Sequence, residues 1–357
     1  MVERGENGPD GAERHASWLE LFFDLVFVAA VAALATQLHE DHSLAGLAVF
    51  GGLFVPVWWV WRSYTWYATG FDADDTPSRL ALLAAMVGVA ALSAGVDGAA
   101  HGDSETFVIA YVGLLAILSG LYVRAGRRFA EARALARRYA IGDALGATLW
   151  LASLSLDEGA RPLIWGAAMV VLIATPLWVL LLPRRAAYDA GHIAERYGLF
   201  TIIVLGESVV VTVAGLDTGS SVDAVLIAVL GFMVAATIWW VYFDRFQAMP
   251  GGGRTARFIW AQVHLLIFFG IAAAAVGIEF AVEAAAHEER LELADSLPLG
   301  VGLGAYLIAM AAIRWATRDG DWSSSPAWPP PRRWWRSRSP PKDLGRWRSS
   351  RSSPRSS

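Results

Sequence analysis

The sequence has no cysteine among its 357 residues, which excludes disulfide bonds and thiolate metal sites. It also carries little charge, because only 17% of its residues are Asp, Glu, Lys or Arg, against about a quarter in soluble domains. The P-loop, H-E-x-x-H and G-x-S-x-G motifs are missing as well. Phosphoryl transfer at a P-loop, zinc-dependent proteolysis and serine hydrolysis therefore have no motif to support them. We expect neither a cofactor nor a metal.

Apolar segments dominate the chain, in which 55% of the residues are hydrophobic and the mean hydropathy is +0.43. A helix of about 20 apolar residues crosses the ~30 Å hydrocarbon core of a bilayer. The sequence therefore predicts an all-α protein, a polytopic integral membrane helix bundle. Ten spans can be drawn, at 18–38, 44–67, 79–99, 105–124, 138–156, 161–182, 196–215, 222–243, 256–281 and 297–316.

Arginine residues alternate between successive connections of these spans. Sixteen lie in the N-terminal segment or near the even-to-odd connections, whereas the opposite connections hold two, Arg161 and Arg290. The positive-inside rule then predicts a cytoplasmic N-terminal segment, 1–17, and a multi-pass protein of the cell (cytoplasmic) membrane. Residues 1–16 lack an apolar run, so we expect no cleavable signal peptide. The basic stretch 124–138 is expected to form a short surface helix on anionic lipid.

Two parts of the chain are alike, which predicts a tandem repeat. Spans one and seven open with Glu20 and Glu195, and spans two and eight end in the tryptophan pairs 58–59 and 239–240. The predicted units are a first six-span repeat over 18–182 and a second, incomplete repeat over 183–318. Residues 319–357 form a basic tail rich in Ser, Pro, Arg and Trp, which we expect to be disordered. We expect that this tail replaced two helices through a frameshift.

Charged residues cluster where the first and seventh spans begin. Glu20 and Asp24 are four residues apart, so they share one face of a helix. Five more polar residues are expected at a similar membrane depth: Arg62, Asp143, His192, Glu195 and Arg196. We predict that Arg62 neutralises Glu20 or Asp24 and that Arg196 neutralises another acid. A structural network and a site where a cation enters would use the same acids, so both interpretations stay open.

A second polar layer is predicted near the middle of the membrane. Glu207 is the twelfth residue of span seven, and His264 lies at a similar depth in span nine. A Glu207–His264 pair would make a site that binds a proton or ion partway across the membrane. The same pair would equally serve as one hydrogen bond between helices.

The cluster His39-Glu40-Asp41-His42 has residue types that bind metals, but we interpret it as an ordinary polar loop. Tryptophans near the predicted helix ends indicate an interfacial belt, so no nucleic-acid partner is expected. The expected partners are membrane lipids and an ion or small solute, and a homo-oligomer stays open.

Two sequence motifs resemble those of a known protein family. They are W-L-E-L-F-F-D-L-V-F-V over 18–28 and E-R-Y-G-L-F-T-I-I-V-L-G-E-S over 195–208. From about Ser17 to Arg318 the chain resembles the bacterial low temperature requirement protein A (LtrA) family. The resemblance implies an integral membrane protein linked, in name, to growth in the cold, and it implies no particular reaction. The recurrent acids of the family fall here on Glu20, Asp24, Glu195 and Glu207.

Three functions are compatible with these observations. The first is a transporter or channel for an ion or small solute, with Glu20, Asp24 and Glu207 supplying charge or protons. The second is a membrane-embedded enzyme that modifies lipid, with Glu207 and His264 as acid and base. The third is a non-catalytic membrane protein that supports growth in the cold.

Overall fold

A computed structural model describes residues 16–71, 75–182, 189–216, 221–245, 249 and 254–316. Every regular element in these residues is helical, as the sequence predicts. The α-helices are α1 (Trp18–Glu40), α2 (Leu44–Gly70), α3 (Thr76–Ala94), α4 (Val96–His101), α5 (Glu105–Arg128), α6 (Arg133–Ser153), α7 (Arg161–Leu180), α8 (Ala190–Ala214), α9 (Val222–Arg245), α10 (Arg254–Ala286) and α11 (Leu293–Ala316). The predicted tail and most of the N-terminal segment lie outside the described residues.

Nine helices in the described part of the chain are long and apolar enough to cross a membrane. All ten predicted spans fall on helices, but the fifth, 138–156, falls on α6, which is not among those nine. The first turns of α6 carry Arg133, Arg137 and Arg138, which lower its apolar character. This helix nevertheless packs between α5 and α7 over its length. The basic stretch 124–138 is therefore the end of α5 and the start of α6, not a separate surface helix.

The bundle has two ends, which side-chain contacts define. At the near end, where α1 begins, the amide of Ala16 donates to Glu195 Oε2 at 3.2 Å, so α1 and α8 start together. At the far end, where α1 ends, His39 Nδ1 lies 3.2 Å from Glu279 Oε2 near the end of α10. Helices α1, α8 and α10 therefore run in the same direction, as the arginine alternation predicts for the first, seventh and ninth spans.

Caps and ion pairs fix the near end. Ser17 caps α1 through a reciprocal box, in which its Oγ accepts from the Glu20 amide and its own amide donates to Glu20 Oε2. Asp75, which precedes α3, accepts from Arg124 at 2.5 Å and from Arg128 at 2.8 Å. The Arg124 guanidinium, with further help from Ser78, holds the pKa of the Asp75 carboxyl well below its usual range. The start of α3 is thereby tied to the end of α5.

Candidate functional site

A buried ion pair joins α1 to α8 at the near end. Arg196 donates from Nε to Asp24 Oδ2 at 2.8 Å and from Nη2 to Asp24 Oδ1 at 2.5 Å. Arg196 is 1% exposed and Asp24 is 0% exposed, so solvent does not screen this two-pronged contact. The third nitrogen of Arg196, Nη1, lies 3.1 Å from Glu20 Oε1, which is ion-pair distance, although it makes no well-aligned hydrogen bond.

His192 completes the cluster from one turn earlier on α8. Its Nε2 lies 3.2 Å from Glu20 Oε1, while its Nδ1 is buried without a hydrogen-bond partner in the described part of the chain. His192 and Arg196 are four residues apart, as are Glu20 and Asp24, so two helix faces meet. The predicted start of span seven at residue 196 is six residues late, because α8 begins at Ala190. That earlier start puts His192 on the helix face that binds α1.

Aromatic residues surround this cluster of charges. Trp61 of α2 donates from Nε1 to Asp24 Oδ1 at 2.8 Å. Its ring stacks on Phe200 with centroids 4.3 Å apart, and Phe268 meets it edge-on at 5.6 Å. Trp61 is fully buried, so the charges lie among apolar groups in which electrostatic interactions are strong.

The charges of the cluster, which we call the α1–α8 network (Glu20, Asp24, His192 and Arg196), do not balance by themselves. Two carboxylates face one guanidinium, which stays protonated in proteins. With His192 neutral the network carries a net charge of −1, and one added proton or monovalent cation brings it to zero. A carboxylate or an imidazole nitrogen can hold a proton, and carboxylate oxygens can also bind a cation. The network therefore has the chemistry to accept and release one positive charge.

Arg62 does not join this network, so the prediction that it neutralises Glu20 or Asp24 is wrong. Its guanidinium lies over the rings of Trp59 and Trp66, at 4.6 and 5.2 Å from their centroids. Successive side chains on a helix point about 100° apart, so Arg62 faces away once Trp61 faces Asp24. Arg196 takes both acids instead.

Arg62 and Asp143 line one small cavity between α2, α5, α6 and α7. The space open to the centre of a water molecule is about 10 Å³, which is room for one water. Both residues are buried, and neither is in an ion pair within the described residues. The remaining lining is mostly aromatic or small: Trp59, Ser63, Trp66, Leu118, Tyr122, Tyr139, Leu172, Thr175 and Pro176.

The other predicted site residues lie apart from the network or at its edge. Glu195 is half-buried and accepts the Ala16 amide, so it holds the chain at the start of α1. Glu207 is half-buried eleven residues beyond Arg196, which is about 16 Å along the helix. Its side chain makes no hydrogen bond to another described residue.

His264 lies near the network, not near Glu207. Its Nε2 is 2.9 Å from the Tyr242 hydroxyl and its Nδ1 is 2.6 Å from the Trp260 carbonyl oxygen. Its ring meets that of Tyr197 edge-on at 4.8 Å, ten residues before Glu207 on α8. The predicted Glu207–His264 pair is therefore not formed, because both ring nitrogens have other partners.

The chain is similar to a known family and to a bacterial relative. A family model described as bacterial low temperature requirement A protein matches residues 15–329. The chain belongs to this family. In this member of the family, the two sequence motifs over 18–28 and 195–208 supply three of the four network residues, and His192 lies just before the second motif. An uncharacterized protein of Rhizobium meliloti (strain 1021) is 30% identical over 305 residues, 76% of this chain and 74% of the relative.

No solved structure matches the chain. The family description concerns low temperature requirement and states no reaction. The chemical possibilities of this chain therefore rest on the α1–α8 network and the residues around it.

Proposed function

We propose that this protein is a transporter or channel for an ion or small solute, which uses the α1–α8 network to hold a proton or cation. The observation that carries the proposal is the surplus of one carboxylate in a buried site that also contains an imidazole. Charged groups inside membrane spans mark ion paths and proton relays in many transporters. The site lies between α1 and α8, the helices that open the two predicted repeats.

A purely structural network would need fewer charges. A buried ion pair gains little stability over packed apolar residues, because both charges lose their hydration. One arginine and one aspartate would suffice to hold α1 against α8. Glu20 and His192 add a second carboxylate and an imidazole, which supports a role in charge movement.

The membrane setting of the proposal follows the arginine pattern. We place the near end of the bundle in the cytoplasm, with the protein in the cell membrane and lipids as its neighbours. Glu207 would be a second site for a proton or cation farther along α8, because it is half-buried and lies beyond the network. A homo-oligomer stays part of the proposal, without a specific interface.

The enzymatic alternative receives less support from the described residues. It assigns the roles of acid and base to Glu207 and His264, and His264 is already bonded at both nitrogens. A lipid substrate would also need an open pocket beside both groups.

Flux measurements in proteoliposomes test the proposal. We expect Glu20→Gln to reduce proton or monovalent-cation flux by about tenfold or more, since a tenfold loss needs only about 1.4 kcal/mol of barrier. Glutamine keeps the shape of Glu20 and its cap on Ser17, so the helix start should survive. Glu207→Gln is expected to reduce flux as well.

Asp97→Asn is the matched control, because it also neutralises a carboxylate, but one whose side chain is 77% exposed. Its flux should equal that of the wild type. Absence of flux in folded wild-type protein, or equal flux in Glu20→Gln and Asp97→Asn, would contradict the proposal.

A further inference from the structure

The far end of the bundle holds a cluster of possible metal ligands that the α1–α8 network does not use. His39 of α1 lies with its Nδ1 3.2 Å from Glu279 Oε2 and its Nε2 3.9 Å from Glu283 Oε2. We propose that His39, Glu279 and Glu283 bind a divalent transition-metal ion of the zinc class. The proposal is independent of the transport function and goes beyond it.

The donor atoms are close enough to share one ion. One ligand atom from each of the three side chains lies within 4.8 Å of the other two. Ligands at about 2.0–2.2 Å in a tetrahedral zinc site lie about 3.4 Å apart. Small rotations of the two glutamate side chains would bring the three ligand atoms from within 4.8 Å to about 3.4 Å of one another. One nitrogen and two carboxylates also leave a fourth position for water.

Two helices and one aromatic ring position the three side chains. Glu279 and Glu283 are four residues apart on α10, so they project from one face toward α1. Phe280 stacks on the His39 ring with centroids 4.6 Å apart and planes at 17°, which orients the imidazole. The predicted ninth span, 256–281, ends too early, since α10 continues to Ala286 and thereby includes Glu283.

Charge favours a divalent ion over a proton at this cluster. Two carboxylates face one imidazole, so a neutral His39 leaves a net charge of −2 that a divalent cation cancels. The nearby His42 does not compete for these acids, because its Nε2 lies 3.0 Å from Asp295 of the α11 helix. Imidazole nitrogen with carboxylate oxygen is a ligand set that suits zinc and its neighbours among the transition metals.

A second cluster at the same end provides an internal comparison. Glu40, Asp97 and His101 also place three ligand atoms within 4.8 Å, but all three side chains are exposed. The His39 cluster is half-buried and bridges two packed helices, so its ligands lose less freedom on binding. Metal at the His39 cluster would clamp α1 to α10 at the far end.

Zinc titration of the full chain in detergent tests the proposal. The protein is purified with a tag that contains no histidine, treated with EDTA, dialysed and titrated with ZnCl₂ by calorimetry, with bound metal counted by mass spectrometry. We expect one zinc ion per chain and a rise in melting temperature. His39→Ala should weaken binding by about 100-fold, since even outer-shell changes cost 10- to 100-fold.

Two further variants serve as a second ligand substitution and as a control. Glu283→Gln is nearly isosteric and should also weaken zinc binding, so it replaces His39→Ala if that variant does not fold. His101→Ala is the matched histidine control and should bind zinc like the wild type. No saturable binding in the wild type, or binding removed by His101→Ala and retained in Glu283→Gln, would overturn the proposal.

Discussion

Arg196→Met is expected to destabilise the protein by about 3–5 kcal/mol, because it strips a buried carboxylate of its guanidinium partner. Asp24 is 0% exposed, so water cannot replace the two hydrogen bonds from Arg196. Trp61 would still donate to Asp24, but a single neutral donor does not cancel the charge. The measurement is the fraction of monodisperse protein that survives heating in detergent.

Arg62→Met is the matched control for this prediction. Arg62 is also buried, at 5% exposure, yet it forms no ion pair with a described carboxylate. Its loss removes stacking on two tryptophans, so a much smaller effect is expected. Adding Asp24→Asn to Arg196→Met should restore part of the stability, because the unpaired charge disappears. Equal destabilisation by Arg196→Met and Arg62→Met would show that charge pairing is not what the network contributes.

Gly302→Ile is expected to force α11 away from α10, with a loss of about 1–3 kcal/mol or more. A Cβ atom at Gly302 would lie 2.5 Å from the Ala274 amide nitrogen and 2.6 Å from the Gly270 carbonyl oxygen. Both are backbone atoms, which cannot rotate out of the way. Small residues that let backbones approach in this manner are typical of helix pairs in membranes.

Gly304→Ile tests the explanation on the same helix. A Cβ atom there meets nothing within 4 Å, so the added side chain should be accommodated. Both variants lower glycine content equally and add the same apolar area, so helix propensity and hydrophobicity cancel in the comparison. Thermal stability in detergent should fall for Gly302→Ile alone. A similar loss in both variants would contradict the close-packing account.

Several features of the fold follow from local sequence. Each apolar run long enough to cross a membrane predicts a helix, because a backbone in hydrocarbon must satisfy its hydrogen bonds within the segment. The structure has a helix at each of these runs. Ser17 with Glu20 three residues later predicts the start of α1, since this pair satisfies two free amides. The four-residue spacing of Glu20 and Asp24 predicts that they share a face, which the structure confirms.

The sequence predicts that Arg196 pairs with an acid of this layer, but not with which one, because the pairings depend on helix boundaries and rotation. A start of α8 six residues earlier than predicted brings His192 to Glu20, and a rotation of about 100° per residue separates Arg62 from Trp61. The Glu207–His264 prediction failed for a similar reason. Equal depth in two spans does not place two side chains on facing surfaces.

Flux of protons and monovalent cations in proteoliposomes, compared between wild type and His192→Gln, tests the central claim most directly. Glutamine can keep a hydrogen bond to Glu20 but removes the imidazole from the network. The account predicts that flux falls in His192→Gln, at equal amounts of folded protein. Equal flux in wild type and His192→Gln would contradict the account, because charge movement would then not depend on His192.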